Sequence, residues 1–352
     1  MLNHFGWYQH NHLLSHFPGS GQIVYYCGWL GVKVFFVISG FVICRLLISE
    51  ELQFGSISLK AFYYRRIFRI LPPFYAYLLV IFLLAFLGLI RESRSAILSS
   101  ALFLFDVNLK LLHINLETHS WFVGHTWSLA VEEQFYLIFP TIWILTPKRW
   151  KGQVFLCIFF TCVAWNLSMM FTGWEAVIGS TTRAGFACIL CGVLMAIQEE
   201  RVRRIANGTP ALIVALVAVL LLLHPEGSNN WHAALYESLL VPPAIGLVLL
   251  FSLARGAWLR AILTSRPFQA VGLTSYGLYL WQQLFTAPKA NFSPTSGRII
   301  PLLLPLLCLI VPLSYFFIEK PAMRYGKLLS RQARKVLTDS GATTEECLSL
   351  PE

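Results

Sequence analysis

The chain has 352 residues, of which 57% are apolar and only 12% charged. Soluble domains carry about 25% charged residues, so an ordinary soluble fold is excluded and a polytopic membrane protein is indicated. The net charge of +10 does not point to nucleic acid, because the basic residues fall in five clusters between apolar segments rather than in one patch.

A membrane span needs about 20 mostly apolar residues. In chain order nine segments qualify, near 24–47, 70–90, 126–146, 153–172, 182–198, 209–224, 236–254, 269–286 and 298–318. The stretch 96–107 is apolar but short and reads as an interfacial or re-entrant helix. The basic clusters are Arg65-Arg66-Arg69, Lys148-Arg149-Lys151, Arg201-Arg203-Arg204, Arg255-Arg260-Arg266 and Arg324-Lys327-Arg331-Arg334-Lys335. They lie at every second membrane exit, which makes those loops cytoplasmic and puts the C-terminus inside. The expected fold is an all-α bundle of about nine to ten transmembrane helices over residues 1–328, followed by a loosely ordered polar cytoplasmic tail over 329–352. Nine spans with that orientation place Met1 outside, and Met1–Gly6 is too short for a cleavable leader. The expectation is a further span upstream, most of which this chain lacks.

Several residues could carry chemistry. Arg65, Arg66 and Arg69 precede Pro72-Pro73 at the expected cytoplasmic mouth of the second span. Arg65 and Arg69 are four apart and share a helix face. Guanidinium groups bind phosphates bidentately, so the block could hold a phosphorylated donor; the alternative is an interfacial anchor. Glu132 and Glu133 interrupt the apolar segment Thr126–Thr146, where an ionisable group marks a functional cavity by default. Being adjacent, they leave a helix about 100° apart, so one faces a cavity while the other pairs or reaches water. His4 is a candidate proton-transfer base. His113, His119 and His125 lie in the expected external loop 91–125, with no recognisable metal-ligand spacing. Arg183 opens the fifth span, whose Gly185 and Gly192 would allow close helix packing. Ser39, Tyr276 and Gln282 add polar groups within spans. Cys188 and Cys191 form a C-x-x-C without a second pair and read as buried apolar residues.

Taken together and in order, Val34-Phe-Phe-Val-Ile-Ser39-Gly40-Phe41, the Arg65–Arg69 block, Trp127-Ser-Leu-Ala-Val-Glu-Glu-Gln-Phe-Tyr-Leu137, Arg183 with its glycines, Ser275-Tyr-Gly-Leu-Tyr-Leu-Trp281 and Ile318-Glu-Lys-Pro-Ala-Met-Arg324 resemble the integral-membrane acyltransferase type 3 family. The resemblance implies a ten-span enzyme that moves an acyl group, usually acetyl, from cytoplasmic acyl-CoA to an extracytoplasmic carbohydrate or small hydroxylated acceptor. It implies no bound cofactor, no metal and no nucleic acid, with acyl-CoA as co-substrate and membrane lipid as surroundings. By this resemblance His4 and Glu133 are catalytic, and Arg65, Arg66 and Arg69 bind the donor. Ser39, Glu132, Arg183, Tyr276 and Gln282 support the cavity. The location it implies is a bacterial cytoplasmic membrane. Where the family often has histidine after Tyr-Leu-Trp, this chain has Gln282, which cannot act as a base. The alternatives are an inactive truncated homologue and a polysaccharide or lipid exporter; no paired repeats or interrupted helices favour the exporter.

Overall fold

The computed structural model describes residues 20–105, 120–172, 180–208, 235–255, 261–287, 291–292 and 300–348. Twelve helices carry these residues: α1 (Ser20–Phe54), α2 (Leu59–Phe86), α3 (Arg94–Ala101), the single turn α4 (Trp121–Gly124), α5 (Thr126–Leu145), α6 (Lys151–Thr172), α7 (Ser180–Ile197), α8 (Glu199–Gly208), α9 (Val241–Arg255), α10 (Arg266–Phe285), α11 (Ile300–Ser314) and α12 (Lys320–Leu348). Two π-helical turns, Tyr236–Leu240 and Tyr315–Glu319, lead into α9 and join α11 to α12. Among the described residues the extended structure is one isolated bridge between Ile90 and Phe292. An all-helical fold is what a lipid environment selects, because each helix satisfies its own backbone polar groups.

Helices occupy every expected span that falls within the described residues; 209–224 lies outside them. Four helical stretches are long and apolar enough to cross a membrane: Leu30–Phe54, Leu59–Phe86, Lys148–Ser168 and Leu306–Lys335. Ala184–Ile197 and Tyr236–Leu249 are shorter apolar helices. Of the segment 96–107, the residues up to 101 belong to the eight-residue α3, and 106 and 107 lie outside the described residues.

Glycine sets the closest helix contact. A Cβ on Gly40 would stand 1.9 Å from the Ile189 carbonyl oxygen, and one on Gly192 would stand 2.1 Å from the Val37 carbonyl oxygen. The backbones of α1 and α7 therefore touch, as small residues permit in membrane helices. Across the bundle, α5 meets α6 through Phe135, Phe139, Trp143 and Phe155, whose rings pack at 4.8–5.8 Å.

Two features differ from the sequence reading. Helix α2 begins at Leu59, because the Ser58 hydroxyl accepts the Ala61 N–H at 3.2 Å and caps it. Arg65, Arg66 and Arg69 consequently sit inside α2, and Pro72 and Pro73 are absorbed within the helix. The polar segment from 329 onward continues α12 to Leu348, and its start docks on α1 and α2 through Ser330 and Arg334.

Candidate active site

Helix α5 brings a carboxylate to the middle of the bundle. Glu132 is buried, and its Oε1 accepts hydrogen bonds from the hydroxyls of Ser39 on α1 and Tyr136 one turn further along α5. The two hydroxyls lie 2.5 Å apart. The Arg66 guanidinium stacks 4.7 Å above the Tyr136 ring. The charges of Arg66 and Arg69 both reach Glu132, and Arg66 also reaches Glu133. Glu133 points away from this network, as adjacent helical positions must. Its Oε1 is buried without a hydrogen-bond partner among the described residues. Its charge reaches the hydroxyl of Tyr276, which donates to the Ile70 carbonyl at 2.9 Å.

The arginine block divides between two faces of α2. Arg66 faces α5. Arg65 and Arg69 face α12 and the turn before it: Arg65 binds Glu50 at 2.8 Å and donates to the Ser330 hydroxyl at 2.9 Å, while Arg69 is exposed and its charge reaches the buried Glu319. Glu50 also holds Arg334 at 2.9 Å and accepts the Ser58 N–H at 3.1 Å. Arg65 is thus committed to an ion network joining α1, α2 and α12. The charges of Arg66 and Arg69 remain within reach of the carboxylates.

Other expected site residues distribute as follows. Ser39 belongs to the Glu132 cluster, and Gln282 is buried near the end of α10. Arg183 lies on α7 with its side chain outside the described part, and His4, His113 and His119 lie outside the described residues. The ring of His125 packs against Tyr77 and Tyr279, and its carbonyl accepts the Tyr279 hydroxyl at 2.5 Å.

Sequence reasoning passed over Glu319 and the Lys33–Glu237 pair. Glu319 is buried on the π-turn, its Oε1 2.8 Å from where a Cβ of Gly277 would lie, so glycine there lets α10 approach the acid. Lys33 on α1 binds Glu237 on the other π-turn at 3.0 Å, with the lysine side chain only 4% exposed. Close by, the Asn166 amide donates to the Ser238 hydroxyl at 2.7 Å. The lysine within the first apolar segment was the available signal.

At the α4 end of α5, Glu92 Oε2 accepts the Phe122 N–H at 2.8 Å. Burial pushes the Glu92 carboxyl up to about 8, against the opposing pull of backbone N–H groups of Phe122, Ser93 and Val123. At the opposite end of the bundle, a cavity of about 470 Å³ opens between α1 and the α7–α8 junction, lined in part by Arg45, Ser49, Gln53 and Glu199.

A carboxylate pair, a partnered hydroxyl couple and guanidiniums converge inside an apolar bundle, and comparison with known proteins gives the family. Residues 2–319 match the family described as Acyltransferase domain. The chain belongs to this acyltransferase family. It is 24% identical over 326 residues to the peptidoglycan O-acetyltransferase OatA of Listeria monocytogenes, covering 85% of this chain and 52% of that protein. It is 27% identical over 349 residues to the O-acetyltransferase OatA of Staphylococcus aureus (strain NCTC 8325), covering 89% of this chain and 57% of that protein. The chain spans about half the length of these relatives. No solved structure matches it.

Proposed function

We propose that the chain is a membrane-embedded O-acyltransferase that moves an acetyl group from cytoplasmic acetyl-CoA to a hydroxyl of an extracytoplasmic glycan. Membership of the acyltransferase family supports the reaction class, and the relatives' names support acetyl as the group and a cell-wall glycan as the acceptor. The observation that carries the reading is the convergence of Glu132, Glu133, Arg66 and Tyr276 inside an apolar bundle, where charged groups are too costly to keep without a task.

The proposed membrane arrangement is ten spans with the basic end of the bundle in the cytoplasm, following the positive-inside rule. Arg66 and Arg69 engage the donor's phosphates, and Arg65 holds α2 in place through Glu50. The acceptor hydroxyl oxygen attacks the thioester carbonyl carbon, and the carbon–sulfur bond breaks. His4 takes the hydroxyl proton and returns it to the departing thiolate, so no net proton is consumed. Glu133 stabilises the charged imidazole, and Ser39, Tyr276 and Gln282 are the groups available to polarise the carbonyl. Holding donor and acceptor together supplies much of the rate by positioning.

The test is transfer of labelled acetyl from acetyl-CoA to glycan in membranes containing the full-length protein. Wild type transfers label, and His4→Ala, expressed at the same level, does not. Full transfer by His4→Ala would remove the assigned base, and absence of transfer by wild type would remove the reading itself.

A further inference from the structure

Helix α4 gathers three polar atoms that the mechanism leaves unused. Glu92 reaches it through Phe122, whose N–H it accepts at 2.8 Å. Tyr77 donates to the Phe122 carbonyl at 2.6 Å, and its ring meets the Trp281 ring edge-on at 5.4 Å. Gln283 and Trp121 clasp each other, the Gln283 amide donating to the Trp121 carbonyl at 2.8 Å and the Trp121 indole donating to the Gln283 carbonyl at 3.2 Å. Within this frame Glu92 Oε1, Trp281 Nε1 and Gln283 Oε1 are buried with no hydrogen-bond partner among the described residues. Trp281 is 7% exposed and Gln283 only 2%.

Buried polar atoms are almost always paired in folded proteins, and three exceptions around one turn call for an explanation. The set is chemically selective. It presents a carboxyl oxygen, an amide oxygen and an indole N–H, the last on the ring that meets Tyr77 edge-on. An anion would meet two oxygens and a single donor. A metal ion would find only two oxygens and would leave the indole unsatisfied. Neighbouring hydroxyl groups, which donate and accept at once, complement all three, and aromatic faces suit the apolar side of a sugar ring. The cluster also lies where α5 begins, two turns above Glu132 and Glu133, and Tyr279 links the two levels through Ser128 and the His125 carbonyl at 2.9 and 2.5 Å.

We propose that Glu92, Trp281 and Gln283 form a subsite that binds the sugar ring of the acceptor through adjacent hydroxyls. This rests on the glycan-acceptor reading above. The subsite holds the glycan at the extracytoplasmic mouth while one of its hydroxyls extends down to the carboxylates.

The experiment uses the full-length protein in nanodiscs, the N-acetylglucosamine–N-acetylmuramic acid disaccharide as probe, and titration calorimetry without acyl donor. Trp281→Phe removes the unpaired N–H together with the five-membered ring and keeps an aromatic ring against Tyr77, and Glu92→Gln preserves the shape of the side chain. Each variant is expected to weaken disaccharide binding and raise the acceptor KM about three- to tenfold, as loss of one hydrogen bond does. The acetyl-CoA KM stays at its wild-type value, so the loss falls on the acceptor alone, which a merely structural role would not give. Unchanged disaccharide affinity in both variants, or a wild type that does not bind the disaccharide, overturns the subsite. A wild type that binds the disaccharide yet transfers no acetyl group supports the subsite and overturns only the acyltransfer reading.

Discussion

Replacing Gly40 with alanine should disable this protein through one methyl group. The added Cβ would lie 1.9 Å from the Ile189 carbonyl oxygen and 2.8 Å from its carbonyl carbon. Both obstacles are backbone, so neither can swing aside. Restoring an ordinary contact of 3.4 Å requires α1 and α7 to separate by about 1.5 Å. Overpacking of this kind costs about 3 kcal/mol, and the better helix propensity of alanine returns about 1 kcal/mol. The net loss is about 2 kcal/mol, a fall of several degrees in thermal midpoint. Activity should fall further than stability, because Ser39 is the neighbouring residue and its hydroxyl holds Glu132. The assay is thermal unfolding in nanodiscs beside acetyl transfer, with Gly31→Ala on the same helix as control. Nothing lies within 4 Å of a Cβ at Gly31, so that variant keeps or slightly raises the midpoint. Equal midpoints for Gly40→Ala and Gly31→Ala would refute the close approach of α1 and α7.

The Lys33–Glu237 pair makes a second case: Glu237→Leu alone leaves a buried ammonium and should cost about 3 kcal/mol, whereas Lys33→Met combined with Glu237→Leu recovers most of it. A double variant no more stable than the single would show that the pair is not coupled. Glu92 predicts a pH dependence. Its folded pKa, about 8, stands above its ordinary value of 4.5, so its contribution is fully present below pH 4.5 and is lost as pH rises through 8. The thermal midpoint should therefore decline from pH 5 to pH 8, and Glu92→Gln should flatten that decline; an unchanged slope would contradict the assignment. Arg65→Ala removes one tie between α2 and α12 while Arg334 keeps its own bond to Glu50. Limited proteolysis should then cut α12 near Ser330 faster than in wild type, and Arg66→Ala should raise the acetyl-CoA KM without that cleavage. The reverse pattern would exchange the two arginines' roles.

The apolar periods and the acids within them were legible from residue order alone. Segments of about 20 apolar residues became helices, and Gly192 marked a close helix contact before its partner strand of backbone was known. The Glu132–Glu133 pair announced a polar interior because charge is so costly there. What could not be read was pairing over long separations. Glu237 lies 204 residues from Lys33, and Ser330 lies 265 from Arg65, so no local pattern joins them. Local signals also competed: Pro72-Pro73 reads as a helix boundary, yet the Ser58 cap starts α2 earlier and the bundle absorbs both prolines. The early start makes the arginines part of the same helix as the expected span and splits them between two partners.

The most direct test of the central claim uses inverted membrane vesicles containing the full-length protein, with labelled acetyl-CoA outside and a glycan acceptor sealed within. The account predicts label on the enclosed glycan with wild type, and a kcat about 100-fold lower or less for Glu133→Gln, with the disaccharide still bound. Label that never reaches the enclosed glycan, or a Glu133→Gln protein that turns over at the wild-type rate, would contradict it.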